Sequence, residues 1–172
     1  MAVLEEDPAR LGRVFARHAY GMRRWVDLFS RRVPATDDLA AKQLLAELVA
    51  DNARHMNLFR ARAHAHAVDP DRYRAPREGE VIYERIDELQ DLPELAGYAS
   101  GSLGHFAQLL DAYAVTASGE DARVIAGVRS DVERMRERLT PLAAGGEQSA
   151  AEAHELYRRR ELAETGRYAD ER

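Results

Sequence analysis

The sequence predicts an all-α protein: a four-helix bundle with an additional C-terminal helix. Three observations predict it. Apolar residues recur at alternating steps of three and four along most of the chain, the period of a helix with one buried face. Proline and glycine gather at a few places that divide the chain into helix-length segments. No stretch shows the strict alternation of a half-buried strand.

Asp7-Pro8 supplies an N-cap and a first-turn proline for the first helix, 8–32. Its seam is Leu11, Phe15, His18, Met22, Trp25 and Phe29, and Pro34 is expected to stop it. Thr36 and Asp37 are expected to cap the second helix, 37–67, with a seam of Leu45, Leu48, Asn52, His55 and Phe59 ended by Asp69-Pro70. An ordered loop follows, then a short helix at 79–90. The third long helix, 93–117, has the seam Leu95, Ala99, Ser102, Phe106, Leu109 and Tyr113. It also carries Gly97, Gly101 and Gly104; each costs about 1 kcal/mol against alanine, which implies close approach of another helix or of a ligand. The fourth, 121–143, is lined by Val124, Ile125, Val128, Val132, Met135, Leu139 and Leu142. Gly145-Gly146 ends it. Ser149 caps a charged tail helix to about 168 with a thin apolar stripe, on which His154 and Arg158-Arg159-Arg160 read as solvent-facing.

The chain has 172 residues, enough for one domain, with a bundle at about 8–143 and the tail helix at 149–168. Hydrophobic residues make up 45% and charged residues 32%, a globular balance. A net charge of -5 speaks against a nucleic-acid partner. The absence of cysteine excludes disulfides and thiolate metal sites. Lys42 is the only lysine among many arginines, the codon bias of a GC-rich, bacterial genome. With no apolar leader in Met1–Arg10 and no apolar run of membrane-spanning length, the expectation is a cytoplasmic protein with no membrane partner.

What interrupts the seams carries the functional reading. His18, Asn52, His55, Ser102 and His105 fall near the middle of their helices, with Asp51 and Asp131 at the edges. Burying unpaired polar groups costs roughly 1–3 kcal/mol each, so such a layer bonds to itself, to water or to a bound molecule. Asp51-Asn-Ala-Arg54-His55 also matches Asp131-Val-Glu-Arg134-Met135 at two of five positions, a faint internal repeat.

This layout resembles the ferritin-like superfamily, including rubrerythrin-like proteins and diiron hydroxylases. Those bundles place one inward Glu on each of two helices and Glu-x-x-His on each of the other two. The corresponding pairs here are Asn52-x-x-His55 and Val132-x-x-Met135, with His18 and Ser102 at the single-Glu positions. The resemblance implies an enzyme of small-molecule metabolism whose diiron centre is remodelled or lost, because none of those inward positions is anionic. A small, largely apolar molecule would occupy the core as ligand. His18, His55 and Asp51 are the candidate catalytic groups, and Asn52, Ser102, His105, Tyr98, Met135 and Trp25 the candidate substrate-binding ones. No cofactor is expected. The alternative is iron or another divalent metal, held by His18, Asp51, His55 and Asp131 in an oxygenase. A non-catalytic binding or structural protein is the third reading, and a tail helix in need of a docking face suggests a homodimer.

Overall fold

A computed structural model describes residues 9–165. Those residues form α1 (Ala9–Ala35), α2 (Leu39–Ala65), α3 (Arg77–Glu88), α4 (Leu92–Ala114), α5 (Gly119–Leu139) and α6 (Glu147–Thr165). A 3-10 turn spans Pro70–Arg72, and no strand occurs among the described residues. The all-α class holds, and each expected helix is present. The Asp7-Pro8 start signal lies outside the described residues.

The boundaries differ where side chains do other work. Pro34 sits inside the last turn of α1 instead of stopping it at 32; a proline this near the end forfeits little of the helical ladder. Thr36 does not cap α2, because its hydroxyl donates to Arg32 O at 2.8 Å and closes the end of α1. The cap is Asp38 rather than Asp37: its carboxylate accepts from Ala41 N at 2.7 Å. At the other end α2 stops before Asp69-Pro70. Ala67 takes a left-handed φ of 57°. Val68 N donates to Ala63 O and Ala67 N to His64 O, both at 2.9 Å. This is the paired-bond helix stop that usually employs glycine. The turn packs onto Gly12 of α1, where an added Cβ would lie 2.6 Å from His66 Cβ.

Cross-helix pairs fix the helix directions. Phe15 meets Phe59, so α2 runs antiparallel to α1. Asp111 pairs with Arg129, so α5 runs antiparallel to α4. Asp121 meets Arg62 and His66 at one end of the α2–α5 pair, and Glu47 meets Arg138 at the other. The long helices therefore run up, down, down, up, with the segment between α2 and α4 carrying the chain back.

α6 is not a thin-striped appendage. It lies along α4 and α3. Gly97 and Gly101 of α4 sit against its start: an added Cβ would come 2.2 Å from Gly146 O and 2.3 Å from Ala150 O respectively. Those two glycines allow the helix–helix approach, whereas Gly104 faces only the Arg136 side chain at 3.5 Å. Because α6 docks on its own chain, it gives no reason to invoke a homodimer. The apolar core falls into two clusters. One is built around Leu28, Phe29, Leu48, Ile86 and Leu139, the other around Phe15, Phe59, Leu110, Ile125 and Val128. Between them lies the polar layer.

Two substitutions test these packing statements. Gly101→Ala should lower unfolding free energy by about 2 kcal/mol or more, since its Cβ meets backbone that cannot rotate away. Ala67→Gly should raise it by about 0.5–1 kcal/mol by relieving the left-handed residue. Chemical denaturation with unchanged m-values would read both.

Candidate functional site

The polar layer surrounds a cavity of about 50 Å³ in the middle of the molecule. His18, Asn52, His55, Ser102 and His105 all line it, and so do Trp25 and Met135. The seam phase of four separate helices thus brings seven of the expected site residues to one chamber. Met22, Leu103, Phe106, Leu109 and Val132 complete its apolar wall.

His55 is tied at one nitrogen: Nε2 lies 2.8 Å from Asp131 Oδ2. Asp131 is also bonded by Arg54 and Arg134. Burial works against its charge, but the bonds from His55, Arg134 and Arg54 outweigh it and hold the carboxyl at about 2. An ionised Asp131 can only accept, so Nε2 carries the proton and Nδ1 keeps the lone pair. Burial pushes His55 below the ordinary histidine range despite Asp131, and the ring is neutral near pH 7. The same rule assigns His18. Arg17 donates to Tyr113 Oη at 2.6 Å, and Tyr113 Oη lies 3.0 Å from His18 Nε2. Arg17 has no acceptor to offer, so the Tyr113 proton goes to His18 and Nε2 accepts. His105 rests against Tyr157 with ring centres 5.3 Å apart. Burial first, then the neighbouring charges of His154, Arg17 and Arg160, push it down to about 3.

Two polar groups face the chamber with bonding capacity to spare. Asn52 donates one amide N–H to Leu48 O at 2.8 Å, which leaves its second N–H and its carbonyl oxygen. Ser102 is 4% exposed, and its hydroxyl makes no well-formed hydrogen bond, although it sits close enough to influence the Tyr157 phenol.

The rest of the site comes from α6 and from Arg17 of α1, and was not legible in the seams. Arg17, Tyr157, Arg160 and Glu161 also line the chamber. Arg17 is 6% exposed and Glu161 2%, and they pair at 3.0 Å. Arg17 reaches Glu164 as well, at 2.9 Å. Burial opposes the Arg17 charge, but Tyr113 and Glu161 outweigh it, with Glu164 adding, and the guanidinium stays protonated. Arg160 is buried against Tyr73 and Glu164, so the Arg158-Arg159-Arg160 run is not wholly a solvated face. His154 is half-buried beside His105, not exposed. Tyr157 accepts from Trp25 Nε1 at 3.1 Å, which ties α6 to α1.

Three expected residues lie elsewhere. Asp51 pairs with Arg54 at 2.8 Å, outside the chamber, because a residue next to the inward Asn52 turns about 100° around the helix. Tyr98 is buried behind α4, its hydroxyl on Ile82 O at 3.2 Å. Asp131 stands behind His55 rather than on the chamber wall. The donor set His18, Asp51, His55 and Asp131 therefore does not converge. His18 is turned to Tyr113, and each aspartate is neutralised by arginine. Among the described residues, no group of three or more His, Asp or Glu could hold a metal ion. The faint repeat does acquire a contact: Arg54 of one copy bridges its own Asp51 and Asp131 of the other.

No family model, no curated protein and no solved structure matches the chain.

The buried groups set an acid limit. A histidine whose folded pKa lies below its unfolded value contributes stability above pH 6.5 that is lost as pH falls. For His105 the loss runs from about pH 6.5 to about 3, and His55 adds to its upper part. Asp131 contributes above the ordinary Asp value and loses this toward about pH 2. Unfolding free energy should fall by about 1.4 kcal/mol per pH unit for each such histidine. His105→Phe should reduce that slope between pH 6 and pH 4 by about one proton's worth. Separately, Arg17→Met should cost about 3–5 kcal/mol by taking the buried guanidinium away from Glu161. An Arg17→Met/Glu161→Leu double variant should recover much of that in thermal unfolding.

Proposed function

We propose that this protein is a ferritin-like bundle enzyme that has lost or remodelled its diiron centre and acts on a small molecule held in the central chamber. The observation that carries the reading is the chamber itself. Asn52 Oδ1 and the Ser102 hydroxyl are available there as a pair of hydrogen-bonding groups, opposite neutral imidazoles. The up-down-down-up order of the long helices and the mid-helix seam positions support the ferritin-like part of it.

The residues present do not suit a two-iron centre. Its four positive charges need inward carboxylates. Among the described residues the one carboxylate on the wall, Glu161, is already matched by Arg17 at 3.0 Å.

In this reading His55 is the base. Asp131 fixes its tautomer from behind and steadies the imidazolium that forms when Nδ1 takes a proton, the arrangement by which a carboxylate supports a histidine base. His18, supported by Tyr113, is the second proton carrier. The second Asn52 N–H and the Ser102 hydroxyl donate to a substrate oxygen. The size is restrictive. A buried water needs about 10–15 Å³ and benzene sits in a cavity of about 150 Å³. The chamber at about 50 Å³ accepts a molecule of only a few non-hydrogen atoms unless α6 shifts. A polar head is required, so the occupant is less apolar than the Met, Leu and Phe wall alone implies.

One observation favours a second reading, in which the layer only fixes helix register: His55 and His18 are each bonded to a protein partner. His55→Leu separates the two. Asp131 keeps two arginines after the change, so unfolding free energy should move by less than about 1 kcal/mol. Methyl NMR of Met22 and Met135 would be followed during titration with formate, acetamide and acetone. In the enzyme reading at least one probe shifts both methyls in the wild type and none does in the variant. Identical behaviour of the two proteins would favour the register reading. Close to two irons per purified chain would overturn the charge argument.

A further inference from the structure

A second cavity lies on the outside of α1, where the first half of that helix faces the Pro70–Arg72 turn. It is a cleft of about 860 Å³, within the range of about 300–1,000 Å³ typical of small-molecule sites. Among the described residues five arginines and two carboxylates, Asp69 and Glu164, line it; Arg17 is matched by Glu161 and Glu164, and Arg10 and Arg74 meet no carboxylate there. The two carboxylates are occupied. Asp69 lies 3.5 Å from Arg72, and Glu164 holds Arg17 at 2.9 Å.

The wall is built in advance. Arg60 grips Asp71 through both guanidinium nitrogens, at 2.6 and 2.9 Å. Arg74 donates to Asp71 O and Tyr73 O, both at 2.8 Å. The segment that carries Arg72 and Arg74 is thereby pinned, while Arg10 projects from α1 beside it. Between these charges the floor is apolar, with Val14, Ala16 and Val68 and the ring of Tyr113.

We propose that this cleft binds a small organic anion, a carboxylate on an apolar body, with the acid group among Arg10, Arg72 and Arg74 and the body on Val14 and Val68. An inorganic ion would leave most of the volume empty and the apolar floor uncovered. A neutral or cationic molecule would leave the guanidinium groups of Arg10 and Arg74 without a counter-charge among the described residues. Arginine suits the carboxylate because its planar fork matches the two oxygens. This site is independent of the function assigned to the chamber, and none of these residues except Arg17 touches that chamber.

The test uses the full chain and two isosteric probes, naphthoate and the naphthylmethylammonium cation, in isothermal titration at low salt. The expected result is binding of naphthoate and not of the cation. The affinity should weaken about fivefold or more between roughly 20 mM and roughly 300 mM sodium chloride. Arg10→Ala/Arg72→Ala removes two exposed side chains, so folding is preserved, and it should weaken naphthoate about tenfold. Equal binding of both probes, an unaffected double variant, or no binding at all would overturn the proposal. Binding seen only after Glu5→Gln/Glu6→Gln/Asp7→Asn would also overturn it, since the chain's own acidic stretch would then be the occupant.

Discussion

The Arg17–Glu161 pair, 3.0 Å apart and almost wholly removed from water, is the constraint on which the rest of this structure depends. Two unit charges with so little exposure need close counter-charges in a low-dielectric interior, and Arg17 matches Glu161 and Glu164 together. Satisfying them requires α6 to lie where it does. That in turn requires α4 to present glycine at 97 and 101, and Trp25 to meet Tyr157. The first and last helices are thus joined by a polar clasp rather than by an apolar seam. The chamber exists because the clasp and the histidine layer together occupy the space where side chains of the two apolar clusters would otherwise interdigitate.

Polar groups in such a layer are kept by mutual satisfaction. His55 and Asp131, His18 and Tyr113, and Arg17 and Glu161 each settle a bond that water would otherwise supply. Because Asp131 and Tyr113 decide which ring nitrogen carries the proton, the two histidines present their remaining capacity in a defined form. That is the same property an acid–base site needs and a register lock tolerates, which is why the proposed functions diverge on ligand response and not on stability.

The outer cleft and the chamber share Arg17 in their walls. One guanidinium therefore faces two environments: an enclosed one where its charge is spent on Glu161, and an open one that belongs to a row of arginines. Anything that rearranged Glu164 on the cleft side would change the electrostatics of the chamber side through that one residue.

The sequence by itself determined the helices, the face that each of the four long bundle helices buries and the mid-level polar layer. His18, Asn52, His55 and Ser102 interrupt seams of strict helical period, with His105 beside Ser102, and a side chain's angular position on a helix follows from its number. It could not place Asp51 or Tyr98, because a shift of one residue turns a side chain by about 100° and seam phase tolerates that much error. Nor could it reveal α6. Tyr157, Arg160, Glu161 and Glu164 recur at helical spacing, but the stripe is made of polar residues, and a pattern that equates buried with apolar reads it as a solvated face. Only the tertiary structure decided that those charges point inward, because their burial is made tolerable by partners more than eighty residues away in the chain: Arg17 for Glu161 and Glu164, Trp25 for Tyr157, and Tyr73 for Arg160.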